Sequence, residues 1–175
     1  MKDSNDLLIL DCESSGLSEH SYPISIGVSG PDGQVWYWMI CPLEDWDEWD
    51  SFAEAIHGID REQLTQQGRD AFLVAREMNA VFKGKSIYSD SRWDSYWIKK
   101  LFDDSGVKMA FSIKTLLDVL STKEKEEYEN WVESNKLTHH PVQDATRIRN
   151  YVLENNISLI SSSDQGQYPH TPSPC

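Results

Sequence analysis

The sequence predicts an α/β fold, with a mixed sheet of about five strands flanked by helices. Three observations predict it: strand patterns come first, helix and strand patterns alternate after them, and turn residues separate the segments. The chain has 175 residues, a length typical of one domain. We expect that domain to span residues 1–160, followed by a disordered tail at residues 161–175, which are rich in Ser, Pro and Gln.

Five segments have the pattern of strands. Residues 7–10 are a continuous apolar run, and apolar residues alternate with smaller ones at 24–28. A Gly-Pro-Asp-Gly turn at 30–33 leads to a returning strand at 35–40, which completes a three-stranded meander. Two later strands are predicted at residues 86–89 and 107–111.

Apolar residues spaced three and four apart predict helices between the third and fourth strands, between the fourth and fifth, and after the fifth. The helix predicted after the fourth strand has three aromatic residues on its apolar face, at positions 93, 97 and 102. Helices are predicted over residues 51–57, 61–82, 93–102, 113–120, 123–131 and 142–153.

Composition narrows the class of protein. No apolar run approaches the roughly 20 residues that cross a bilayer, and the first ten residues do not have the pattern of a signal peptide. The three cysteines lie far apart without a CxxC pair, which argues against a zinc site or a disulfide framework and favours the cytoplasm.

The net charge of −13 bears on nucleic-acid binding. A protein that binds many phosphates usually has a basic patch, whereas residues 44–54 contain six carboxylates and no base. Either nucleic acid is not the substrate, or the substrate is short and is held through metal ions at one end. Charge alone does not separate these two interpretations.

The apolar run at residues 7–10 leads into two acids, Asp11 and Glu13. Alternate residues of a strand share a face, so both carboxylates would project together, with Cys12 on the opposite face. Two converging carboxylates repel unless a cation lies between them, and oxygen ligands suit Mg²⁺ or Mn²⁺. The D-x-E pattern alone is weak, because about one such pair is expected by chance and Asp60-Arg61-Glu62 matches equally well. A solvated strand end is the alternative.

Two further acids stand at predicted helix starts. Asp94 follows a strand and opens a helix, and Asp144 opens the last helix after a loop that contains His139. A histidine there could take a proton from water, since its ordinary pKa lies near neutrality. The alternative for both acids is a capping residue favoured by the helix dipole.

The order and settings of these sites resemble those of the DEDDh (DnaQ-like) 3′-to-5′ exonuclease family, which has a ribonuclease-H-like fold. LILDCESSGL is similar to the first motif of that family, YSDSRWD occupies the place of the second, and HHPVQDA resembles the third. Between the first two, AIHGI at residues 55–59 resembles the family's short HGI segment. The resemblance covers residues 7–153.

The resemblance implies a metal-dependent exonuclease that releases nucleoside 5′-monophosphates from the 3′ end of nucleic acid. It implies two divalent cations, Mg²⁺ or Mn²⁺, held by Asp11, Glu13 and Asp144, with Asp94 acting directly or through metal-bound water. His139 would be the general base. The residues expected near the terminal nucleotide are Ser14, Ser15, Gly16, Leu17 and His57, although a polar loop residue is an equally good interpretation of His57.

Four positions depart from the family pattern. Ser14 and Ser15 replace the usual threonines but keep small hydroxyl groups, and Trp93 replaces the common phenylalanine. Asp90 stands where the family often has asparagine, which adds a negative charge close to the expected metal ions.

The expected substrate is short or single-stranded nucleic acid, DNA or RNA, and the acidic surface or the tail could bind a protein partner. Two alternatives stay open at this stage: a two-metal phosphoesterase acting on small phosphate esters, and a nucleic-acid or partner-binding module on an exonuclease fold.

Overall fold

Six strands form one mixed sheet in the computed structural model, which describes residues 6–157 and 159. The predicted tail, residues 161–175, lies outside these residues. The strands are β1 (Ile9–Ser14), β2 (Pro23–Ser29), β3 (Val35–Cys41), β4 (Arg69–Asp70), β5 (Ser86–Ser89) and β6 (Ser112–Thr115). Their order across the sheet is β4-β3-β2-β1-β5-β6. The α/β class is confirmed, with one strand more than the five expected.

Six α-helices flank the sheet over the same range of residues. None of them is both long and apolar enough to cross a membrane. The helices are α1 (Ser51–His57), α2 (Arg61–Gln67), α3 (Ala71–Phe82), α4 (Arg92–Asp104), α5 (Thr122–Ser134) and α6 (Pro141–Glu154).

The strand directions bring two chain segments to one edge of the sheet. Strands β1, β2 and β3 form the predicted antiparallel meander, whereas β5 runs parallel to β1, with Ile9 paired to Tyr88. The carboxyl ends of β1 and β5 therefore lie side by side. Ligands of α/β sheets commonly bind at such carboxyl ends.

Side chains at residues 7–12 point alternately to the two faces of the sheet, and each face has its own hydrophobic cluster. Leu8, Leu10 and Cys12 belong to a cluster with the apolar residues of α3 and α4. Leu7 and Ile9 belong to a second cluster with residues of α5 and α6. Both faces of β1 are therefore buried, which explains its continuous apolar run.

Small residues on β2 allow α6 to lie close to the sheet. A Cβ atom at Gly27 would lie 2.3 Å from the carbonyl carbon of Pro141 and 2.3 Å from the nitrogen of Val142. No side chain fits in this space, so Gly27 sets the distance between β2 and the first turn of α6.

Gly27→Ala is expected to lower the free energy of unfolding by about 1–3 kcal/mol, because the added methyl group must push α6 away from β2. Urea unfolding measures the change. Asp144 lies in the displaced turn, so the position of its carboxylate should shift in the same variant. An unchanged unfolding midpoint would contradict the close packing of α6.

Three predicted segments are wrong. The helix expected over residues 61–82 is interrupted at Gly68, where a Cβ atom would lie 2.3 Å from the carbonyl oxygen of Leu64 and 2.5 Å from the nitrogen of Cys41. The chain passes so close to β3 at this point that the next two residues pair with it as β4. Asp70 then starts α3 by accepting a hydrogen bond from the nitrogen of Leu73 at 3.0 Å.

The strand expected at residues 107–111 is irregular, and the helix expected at 113–120 is β6 followed by a 3₁₀ turn at Leu116–Asp118. Val107 and Met109 pack against the core with Phe111, which produces the alternating pattern, but ladder pairing with β5 starts only at Ser112. The pattern here reflects side-chain burial and not strand pairing.

Candidate active site

Asp11 and Glu13 continue the row of β1 side chains that begins with Leu7 and Ile9. The alternation that buries those two residues against α5 and α6 turns both carboxylates to the same face, as the sequence predicts. Glu13 is only 9% exposed and Asp11 is partly buried. Neither acid is a solvated strand end.

Asp144 lies in the first turn of α6 and is held by three hydrogen bonds. Its Oδ1 accepts from the nitrogen and the hydroxyl of Thr138 at 2.8 and 2.9 Å, and its Oδ2 accepts from the nitrogen of His140 at 3.3 Å. The side chain is 1% exposed. The loop before α6 therefore fixes the direction of this carboxylate.

Asp94 lies in the first turn of α4, next to the end of β5. Ser91 caps this helix by accepting from the nitrogen of Trp93 at 3.1 Å, so Asp94 is not the capping residue. Asp94 is 2% exposed, and its Oδ2 is buried without a hydrogen-bond partner among the described residues. A buried carboxylate oxygen without a donor is costly, and a bound cation would offset that cost.

These carboxylates form two groups that share Asp11. In the first group, one oxygen each from Asp11, Glu13 and Asp144 lie within 4.8 Å of one another. In the second, one oxygen each from Asp11, Asp90 and Asp94 do so. The four acids singled out in the sequence thus converge from β1, α4 and α6, with Asp90 added to them. Each group could hold a divalent metal ion through oxygen ligands.

The electrostatics of this cluster are unfavourable without a cation. Burial raises the pKa of Asp11 well above its usual value, and the nearby Asp94 and Glu13 raise it further. Burial and then Asp144 raise the pKa of Glu13 to about 7. Burial and then Asp90 raise the pKa of Asp94 well above its usual value. The protonated forms are favoured because the charged forms are buried together.

Metal-free protein is therefore expected to lose stability as the pH rises. A carboxyl group with a raised pKa in the folded state stabilises that state fully below its unfolded pKa, which is 4.5 for Glu13, and this stabilisation is lost as the pH rises through about 7. Glu13 alone corresponds to about 3 kcal/mol. Urea unfolding in EDTA at pH 5 and pH 8 measures the difference. Equal stability at both values would contradict the buried cluster.

His139 lies in the loop between α5 and α6. It is exposed, and its φ of 56° is in the left-handed region that few residues other than glycine adopt. Burial lowers the pKa of His57, and the nearby His139 lowers it further. The charge of Glu54 and a hydrogen bond to the backbone of Ser14 act in the opposite direction. The two imidazoles are therefore within electrostatic range of each other.

The loop after β1 is fixed by its own hydroxyl groups. Ser14 donates to the carbonyl oxygen of Gly16 at 2.7 Å, and Ser15 donates to Oε2 of Glu48 at 3.0 Å. Leu17 is 70% exposed at the tip of this loop. Gly16 faces Glu48, since a Cβ atom there would lie 3.1 Å from Oε1 of that residue.

The sequence analysis does not identify three residues that shape the site. Thr138 orients Asp144, Glu48 holds the loop after β1, and the hydroxyl of Tyr128 donates to Oδ2 of Asp90 at 2.8 Å. Asp90 was noticed only as a departure from a family pattern. Tyr128 lies in a helix of charged residues, and no local signal marks it.

Comparison with known proteins gives structural relatives only. No family model and no curated protein sequence matches the chain. The fold is similar to that of Exonuclease I from E. coli. The zinc-ion-bound complex of that protein with single-stranded DNA matches with a TM-score of 0.67 and 16% identity, over 87% of this chain and 41% of the other.

Two further structures of the same nuclease match over a shorter part of this chain. The apo form gives a TM-score of 0.55 and 18% identity, over 65% of this chain and 29% of the other. The complex with a dA16 oligonucleotide gives 0.54 and 18%, over 65% and 28%. This chain spans less than half the length of these relatives. The likeness shows the fold alone, and it agrees with the predicted ribonuclease-H-like mixed sheet flanked by helices.

Proposed function

We propose that this protein is a metal-dependent 3′-to-5′ exonuclease of the DEDDh type that releases nucleoside 5′-monophosphates. The observation that carries the proposal is the convergence of four carboxylates from three elements, the partly buried Asp11 and the buried Glu13 on β1, Asp94 on α4 and Asp144 on α6. The fold shared with E. coli Exonuclease I supports it.

The donor set fits two divalent cations, Mg²⁺ or Mn²⁺. All the candidate ligands are carboxylate oxygens, which these cations prefer, and the buried Oδ2 of Asp94 has no hydrogen-bond donor within the described part of the chain. Asp11, Glu13, Asp144 and Asp94 would hold the ions. When bound, two such ions would neutralise the phosphodiester and stabilise its attacking and leaving oxygens.

His139 would act as the general base that takes a proton from the attacking water. His139 is exposed and lies in the loop five residues before Asp144, so solvent and substrate can reach its imidazole. Ser14, Ser15, Gly16, Leu17 and His57 would surround the terminal nucleotide. The exposed Leu17 offers an apolar surface on which a base of any sequence can pack.

The substrate would be single-stranded or short nucleic acid, DNA or RNA. An enzyme that holds a terminus through metal ions does not need a long basic track, which fits the net charge of −13. The relatives bound to oligonucleotides are complexes with single-stranded DNA, which supports this class of substrate. We place the activity in the cytoplasm, with the acidic segment at residues 44–54 as a surface for a protein partner.

Degradation of 5′-labelled single-stranded DNA and RNA oligomers tests the proposal. We expect a ladder that shortens from the 3′ end with Mg²⁺ or Mn²⁺, disappears in EDTA and is absent with Asp11→Ala. Faster hydrolysis of p-nitrophenyl phosphate than of either oligomer would favour the small-ester phosphoesterase. Oligomer binding without cleavage would favour the binding module.

A further inference from the structure

Asp90 lies between β5 and α4, outside the four acids to which the proposed mechanism assigns roles. One of its oxygens nevertheless lies within 4.8 Å of an oxygen of Asp11 and of an oxygen of Asp94. The second carboxylate group is complete only with Asp90. Without it, the described residues that could hold an ion beside Asp94 reduce to a pair.

A second observation points to a cation at this position. Asp94 is 2% exposed, and its buried Oδ2 has no hydrogen-bond donor among residues 6–157 and 159. Buried polar atoms almost always have partners, so this oxygen calls for a ligand that bears positive charge. Asp90 and Asp11 would supply the remaining oxygens of such a site.

Tyr128 holds Asp90 in place from the other side. The ring is buried, 2% exposed, and packs against Trp131 and Tyr151 with ring centroids 5.8 and 5.3 Å apart. Its hydroxyl donates to Oδ2 of Asp90 at 2.8 Å and so fixes the direction of this carboxylate. Hydrogen bonds of this kind orient metal ligands and commonly matter for affinity.

We propose that Asp90 is a fifth carboxylate of the metal centre, a ligand of the ion shared by Asp11 and Asp94, and that Tyr128 positions it. The inference rests on the proposed function, because it requires divalent ions in the carboxylate cluster. With the carboxylate of Asp90, this site would bind its divalent ion more tightly than with a neutral asparagine at the same position. The enzyme would then keep both ions at a lower concentration of free metal.

Isothermal titration of the full chain with Mn²⁺, in the absence of nucleic acid, tests the inference independently of catalysis. We expect two Mn²⁺ ions per wild-type chain. Asp90→Asn should weaken one of the two sites by about 10–100-fold, and Tyr128→Phe should weaken the same site by about 10-fold. Asp45→Asn is the matched control, because it removes an exposed acid from the segment 44–54 and should leave both affinities unchanged.

The outcomes separate the two proposals. Two ions bound equally well by wild type and Asp90→Asn would overturn the role of Asp90 and leave the proposed function intact. An equal loss in Asp90→Asn and Asp45→Asn would overturn it too, since it would reflect overall charge. No Mn²⁺ bound by wild type would overturn both. Far-ultraviolet circular dichroism in EDTA checks that each variant is folded. Tyr128→Phe is a second, independent variant, because it removes the hydroxyl and keeps the packed ring.

Discussion

Asp11→Asn is expected to raise the stability of the metal-free protein and to slow metal-dependent cleavage. Burial and the neighbouring Asp94 and Glu13 disfavour the charged form of Asp11 and so raise its pKa. An amide of nearly the same shape removes this cost, and each 1 kcal/mol gained corresponds to about 2–4 °C in Tm for a chain of this size. The same amide removes a charge from both carboxylate groups, so the cleavage rate should fall by about 10²–10³-fold or more.

Thermal unfolding in EDTA and in Mn²⁺ measures the first effect. In EDTA the Tm of Asp11→Asn should exceed that of wild type, and by more at pH 8 than at pH 5, because the raised pKa of Asp11 makes its cost grow with pH. In Mn²⁺ the order should reverse, since only wild type gains from binding. Asp45→Asn should follow wild type in both. A Tm in EDTA that falls on Asp11→Asn would contradict a strained carboxylate cluster.

His139→Ala is expected to lower kcat by about 10²–10⁴-fold, the range that a general base contributes. Metal affinity should stay the same, because His139 belongs to neither carboxylate group. Single-turnover cleavage of a labelled oligomer, with Mn²⁺ binding measured alongside, separates the two properties.

The neighbouring histidine offers a matched control. His140 stacks its ring on Tyr37, with centroids 5.9 Å apart, and contributes only its backbone nitrogen to Asp144. His140→Ala keeps that nitrogen and should keep kcat within a few-fold of wild type. Equal losses in the two variants would show that the loop, and not the imidazole of His139, supports the rate.

The sequence predicts a segment well where its apolar pattern has a single structural cause. The run at residues 7–10 is buried on both faces, and the helical spacing in 142–153 matches α6 within one residue at each end. Gly68 shows where prediction from apolar spacing fails. Its neighbours have helical spacing on both sides, and only the close approach of β3 explains the break.

The candidate site was predictable where chain order brings elements together. Parallel pairing of β1 and β5 places the ends of both strands at one edge, so Asp11 and Asp94 could be expected to meet. The contact between Tyr128 and Asp90 joins residues 38 positions apart through tertiary packing. No periodicity or spacing in the chain encodes such a contact.

We expect β1 to end in acids because those acids bind divalent cations. Anomalous scattering from crystals soaked in Mn²⁺ tests it most directly. We expect two Mn²⁺ ions that share Asp11, one bound also by Glu13 and Asp144 and the other by Asp94. Crystals with Mn²⁺ in solution but no ion among these carboxylates would contradict the claim.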